Sequence, residues 1–158
     1  MALSDYRIVK KSAMGVSLKQ ILEPARRAGE TDKEAMDRLA NGDPVVHVDD
    51  LPSREFRSSW GTDDKGKVEI NLDSVVNRIL GGVRDHRNNK LSSLDVPSMR
   101  ALEDGDTKTS KEIKKKKDTL RNLPPKVEAK LDKIINSKKK HATKLKELQK
   151  FRVPELED

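Results

Sequence analysis

The chain has 158 residues, of which 33% are hydrophobic and 39% charged, against roughly 45–50% and about 25% in ordinary globular domains. A single large core is therefore not expected, and the absence of cysteine excludes disulfide scaffolds, zinc fingers and thiol catalysis. The net charge of +7 is uneven: residues 107–150 hold 16 Lys/Arg against 5 Asp/Glu, a net +11, while residues 1–106 and 151–158 each come to −2. No apolar run approaches the roughly 18 residues of a membrane span, and no charged-then-apolar N-terminus marks a signal peptide. The expected site of action is cytosolic.

Three of the four aromatic residues, Tyr6, Phe56 and Trp60, lie in the first 60 positions, with Phe151 the fourth. Any compact core is thus expected in the N-terminal half. Residues 5–10 read as a first strand, with Tyr6 and Ile8 on one face and Val9 on the other. Leu18, Ile21, Leu22 and Ala25 follow at helical spacing and predict a short helix capped by Ser17 and weakened by Pro24. Thr31 and Glu34 fit a capping box opening a second helix, with Ala35, Met36, Leu39 and Ala40 on its buried face and Asn41-Gly42 as its stop. Val45–Val48 reads as a strand paired with the first. Residues 56–70 read as a hairpin or loosely paired loop, with Phe56, Trp60, Val68 and Ile70 turned inward.

From Asn71 the apolar period changes to that of a helix. Leu72, Val75, Val76, Ile79, Leu80, Val83, Leu91 and Leu94 mark one long face, interrupted by polar residues at 85–89. Gly81-Gly82 within it points to close packing or a bend. Asp95 and Pro97 predict a new helix with Asp95 as cap, Gly105-Asp106 ends it, and Thr107 or Thr109 opens the next. That helix, 108–123, carries only Ile113, Leu120 and Leu123 as large apolar positions and is broken by Pro124-Pro125. A single last helix is expected over about 126–150, with an acidic, extended tail after it.

Catalytic and metal-binding patterns are missing. His47 beside Asp49 and Asp50, and His86 beside Asp85, lack a second His or Cys at ligand spacing. Asp63 and Gly66 match two places of a calcium loop, but Gly61 and Leu72 would occupy its first and twelfth places and cannot ligate. Gly81-Gly82 is followed by no Lys-Ser/Thr, so it is not a phosphate loop. The chain is expected to be non-enzymatic, with no cofactor and no metal. The lysine clusters Lys114, Lys115, Lys116, Lys117 and Lys138, Lys139, Lys140 could attract polyanions through counterion release, or simply solvate a helix surface. No aromatic is interleaved for base stacking.

Four segments together resemble a family of small proteins from tailed-bacteriophage structural gene clusters. Leu51–Trp60 is similar to an "LPxRxFRxAW" segment, with Ser59 in place of alanine. Arg84–Asp95 is similar to "RxxRxxxLxxLD", Met99–Asp106 to "MRAxExGD", and Lys117–Pro124 to "KQxLRDxP", an ending also seen in tail-fibre assembly proteins and tail assembly chaperones. The likeness covers about residues 45–124; a lysine-rich helix follows where relatives end in an acidic segment of small residues. The resemblance implies a non-enzymatic tail-associated protein, an assembly factor or minor virion component. It would act in the host cytoplasm during assembly, or in the virion.

The expected fold class is α+β, mostly α: a small mixed module at 1–70, a helical hairpin at 71–124, a basic C-terminal helix at 125–150 and an acidic tail at 151–158. The expected docking stripe is Val76, Ile79, Leu80, Val83, Arg87, Leu91 and Leu94 with Ile113 and Leu120. Its partner would be another phage tail or fibre protein, or a second copy, and no membrane. The alternatives are a nucleic-acid-associated phage protein using the lysine clusters and a phage-encoded inhibitor of a host protein.

Overall fold

The computed structural model describes residues 2–12 and 15–156. The fold is α+β and mostly helical, and it divides into two compact units, Met1–Asn71 and Leu72–Asp158. The boundary falls where the apolar period changes, but the expected division at residue 124 is absent: hairpin and C-terminal helix belong to one unit.

In the first unit, β1 (Tyr6–Ser12) is the middle of an antiparallel sheet ordered β2-β1-β3, with β2 at Gly15–Gln20 and β3 at Val45–His47. The helix expected at 17–25 is therefore wrong. Val16 and Leu18 are half-buried while Ser17 and Lys19 are exposed, the alternation of a strand. Pairing runs from Arg7↔Gln20 to Ser12↔Gly15. Pro24 then sits in a 3₁₀ turn, Glu23–Ala25, where no internal backbone donor is lost. Ile21 is buried but Leu22 is exposed, so the helical spacing of those two residues was coincidental.

Helix α1 (Asp32–Ala40) forms as expected. Thr31 Oγ1 accepts the Glu34 N–H at 3.3 Å, and the Glu34 carboxylate accepts the Thr31 N–H at 2.8 Å. Asn41 ends it in the left-handed region, φ 49°. Its Ala35 and Ala40 join Leu3, Ile8 and Ile21 in the core, with Tyr6, Met36, Leu39 and Val45 packed against them. After β3 come two 3₁₀ segments, Val48–Asp50 and Arg54–Ser59, and then the hairpin β4 (Trp60–Thr62) and β5 (Val68–Ile70). The hairpin expected over 56–70 is paired between Trp60–Thr62 and Val68–Ile70, while 56–59 belong to the second 3₁₀ segment. Phe56, Trp60, Val68 and Ile70 are all buried, and the Trp60 indole donates to the Ser53 carbonyl at 3.2 Å.

The second unit is built on α2 (Leu72–Ser93), which packs against α3 (Asp95–Glu103), α4 (Thr107–Arg121), α5 (Leu123–Ile135) and α6 (His141–Gln149). α2 runs unbroken through Gly81-Gly82, and neither glycine permits a close approach, since a Cβ on either would meet nothing within 4 Å. The α2–α3 break falls at Leu94, in helical conformation and without a side-chain cap. Pro97, in the first turn of α3, has no N–H to continue the hydrogen-bond ladder of α2. Asp95 is thus not the cap. Its carboxylate instead takes Lys117 Nζ at 2.9 Å.

Asp106, rather than Thr107 or Thr109, caps α4, accepting the Thr109 N–H at 3.0 Å and the Thr109 hydroxyl at 2.6 Å. Those two bonds hold its carboxyl below the ordinary value. Pro124-Pro125 occupies the first turn of α5, where proline is tolerated, so that helix restarts at Leu123 and not at 126.

The single helix expected over 126–150 is in fact α5 and α6, separated at Asn136–Lys140. Asn136 and Ser137 favour leaving a helix, and the lysine run after them offers no apolar face. Ser137 Oγ and Lys144 Nζ satisfy the carbonyls of Ile134 and Ile135 at the end of α5. The turn folds Leu148 of α6 into the core. The tail is not simply extended: Pro154–Leu156 forms a 3₁₀ turn against α2, and Phe151, Val153 and Leu156 lie with Ile79, Gly82, Val83 and His86 around a cleft. Its last two residues lie outside the described range.

Candidate docking surfaces of the helical unit

The expected docking stripe turns out to be core. Val76, Leu80 and Val83 of α2, with Ile113 and Leu120 of α4, are buried, because α2 is covered by α4 and by the apolar side of α5: Leu123, Pro124, Val127 and Leu131. Leu131 is fully inaccessible. These residues offer a partner nothing without opening the unit. Ile79, Arg87, Leu91 and Leu94 are half-buried. Ile79 faces the tail, and the Arg87 guanidinium bonds Asn88 Oδ1 at 2.8 Å.

The exposed apolar surface lies elsewhere. Along α3, Val96, Met99 and Leu102 are 56%, 61% and 68% exposed, while Ala101 is the residue turned inward. Spacing by three residues puts all of them on one side of the helix. Sequence reasoning treated Met99 and Leu102 only as parts of a motif. The available signal was a nine-residue helix richer in large apolar residues than its single buried alanine requires.

A second feature is an open groove of about 730 Å³, lined mostly by apolar surface. Leu94 and Leu120 contribute to its floor. Lys90 and Ser93 come from α2, Glu112, Lys115, Lys116 and Thr119 from α4, and Glu155 from the tail. The lysine clusters do not act as blocks. Successive residues of a helix are about 100° apart, so Lys115 and Lys116 reach this groove while Lys117 turns to Asp95; Lys114 is exposed. Lys138, Lys139 and Lys140 lie in the α5–α6 turn, where Lys139 pairs with Glu147 and the other two are exposed.

The histidine and calcium-loop patterns have structural explanations. His47 packs edge-on against Tyr6, its cross-strand partner, at 5.2 Å, and its Nδ1 accepts the Asp49 N–H at 3.3 Å. Asp63 Oδ1 accepts the N–H groups of Lys65 and Lys67, closing the β4–β5 loop. Among the described residues, no three His, Cys, Asp or Glu side chains are grouped to hold a metal ion. Among the same residues, no helix is long and apolar enough to cross a membrane. The chain matches no family model, and no curated protein or solved structure matches it at a significant level.

Proposed function

We propose that the chain is a non-enzymatic bacteriophage tail-associated protein, an assembly factor or minor virion component, that docks another tail or fibre protein through its helical unit. It acts in the host cytoplasm during assembly or within the virion. The observation that carries this reading is the exposed row Val96, Met99 and Leu102, set within and beside the segments that resemble phage structural-cluster proteins. Burying such side chains is worth about 1.5–3 kcal/mol each. At 56–68% exposed, the three have roughly 3–6 kcal/mol of this still to gain, at the low end of what is lost on immobilising one protein against another. The row therefore anchors a complex that needs further polar contacts to last.

Quantitative mass spectrometry of purified virions and of tail intermediates tests the assignment. The chain is expected at a fixed ratio to tail proteins in one of those fractions. Its absence from both, with normal tails formed when its gene is deleted, would overturn it. A nucleic-acid-associated reading rests on the exposed Lys114, Lys115, Lys116, Lys138 and Lys140. It requires duplex binding that falls steeply with salt and disappears when these lysines become glutamine.

A further inference from the structure

We infer that the groove between α2 and α4 takes an acidic, leucine-bearing helical segment of the partner protein; this rests on the docking reading but not on the phage lineage. The groove has the mixed chemistry of a helix-in-groove site: an apolar floor at Leu94 and Leu120 beneath Lys115 and Lys116. Its volume of about 730 Å³ accommodates several side chains, since pockets of about 300–1,000 Å³ enclose whole small ligands.

The occupant's charge follows from two observations. Residues 72–158 hold 22 Lys/Arg against 14 Asp/Glu, a net +8, which disfavours a second copy of the same unit and steers acidic chains toward it. The chain also places one carboxylate of its own tail in the groove. The tail Pro154-Glu155-Leu156 folds back onto α2, and Glu155 lines the groove together with Lys90, Lys115, Lys116 and Glu112. A partner helix with leucines on one face and carboxylates flanking them would take this position with more contacts and displace Glu155.

Nucleic acid suits the groove less well. Its floor is aliphatic, and the single aromatic of residues 72–158, Phe151, is half-buried at the cleft between the tail and α2. No stacking platform therefore accompanies the lysines.

The test is fluorescence anisotropy with the full chain and a labelled amphipathic peptide bearing leucines on one helical face and glutamates elsewhere. Control peptides replace the leucines, or the glutamates, by glutamine. Binding is expected to need both residue types and to weaken about tenfold or more in Lys115→Glu/Lys116→Glu. It should be unchanged in Lys138→Glu/Lys140→Glu and tighten about two- to threefold in Glu155→Gln, which removes the competing carboxylate. A peptide with lysine in place of glutamate should bind the Lys115→Glu/Lys116→Glu protein, a rescue that misfolding could not produce.

The inference is overturned if the peptide does not bind, if the two lysine pairs matter equally, or if the leucines are dispensable. It is also overturned if duplex DNA binds through Lys115 and Lys116 in preference to the peptide. None of these results would bear on whether the chain travels with tails, which the virion measurement decides separately.

Discussion

Replacing Gly66 by alanine should destabilise the N-terminal unit far more than the same change at Gly42, although both glycines have positive φ, 80° and 89°. The left-handed conformation costs an L-residue about 1–2 kcal/mol at either site. At Gly42 a Cβ would meet nothing within 4 Å. At Gly66 it would lie 2.2 Å from Cγ and 2.6 Å from Cβ of Pro44. Pro44 cannot easily retreat, because its carbonyl accepts the Val9 N–H at 2.8 Å and the next residue enters β3. Relieving such an overlap costs a further ~1–3 kcal/mol, so Gly66→Ala should cost about 2–5 kcal/mol in all.

Trp60 is the only tryptophan and is buried in the hairpin whose loop holds Gly66. Its fluorescence therefore reports this unit, while far-UV circular dichroism is dominated by the helical one. With a urea slope of about 1 kcal/mol/M, Gly66→Ala should lower the Trp60 midpoint by about 2 M or more, and Gly42→Ala by about 1–2 M. A variant with Trp60 exposed before urea is added, but with its helical signal kept, would meet the same expectation at its upper limit. Equal shifts for the two variants would refute the contact with Pro44.

Three other outcomes follow from the geometry. The Glu30 carboxylate receives Arg38 through two bonds of 2.7 Å and the Arg27 N–H at 2.9 Å; these bonds, the Arg38 side chain first, lower it from 4.5 to about 2. A depressed folded value means stability that is present above the unfolded value and lost as pH falls. The Trp60 urea midpoint should thus decline between about pH 4.5 and 2, less steeply in Glu30→Gln, and an identical decline in the variant would contradict the clamp. In the helical unit, Leu131→Ala should cost about 2–5 kcal/mol, read as loss of the helical signal at lower urea with Trp60 unaffected; a cost below 1 kcal/mol would place Leu131 outside the core. Gly81→Ala should stabilise that unit by about 1 kcal/mol, because open space surrounds the added methyl; destabilisation would show that the glycine serves a contact.

Features that depend on neighbouring residues were legible in the sequence. The Thr31–Glu34 box and the Asn41-Gly42 stop are satisfied within a few residues of themselves, so their residue types suffice. Residues 16–22 were not legible, because Val16 and Leu18 fit a strand while Leu18, Ile21 and Leu22 fit a helix. Pairing with β1, a partner outside that window, decided between the two. The same limit explains the reversal on α2. An apolar stripe shows that something covers it, and not whether that cover is another protein or α4 and α5 of the same chain. On α3 the small Ala101 faces inward and the larger Val96, Met99 and Leu102 face out, an orientation set by packing rather than by hydrophobicity.

The proposed tail-docking function can be tested by complementing a phage deleted for this gene with Val96→Asp/Met99→Asp/Leu102→Asp and scoring tails by electron microscopy. The substitutions fall on exposed positions, so the variant should keep the circular dichroism and urea midpoint of the parent. The variant is expected to be a folded protein that no longer supports tail assembly. A folded variant that restores normal tails would contradict it.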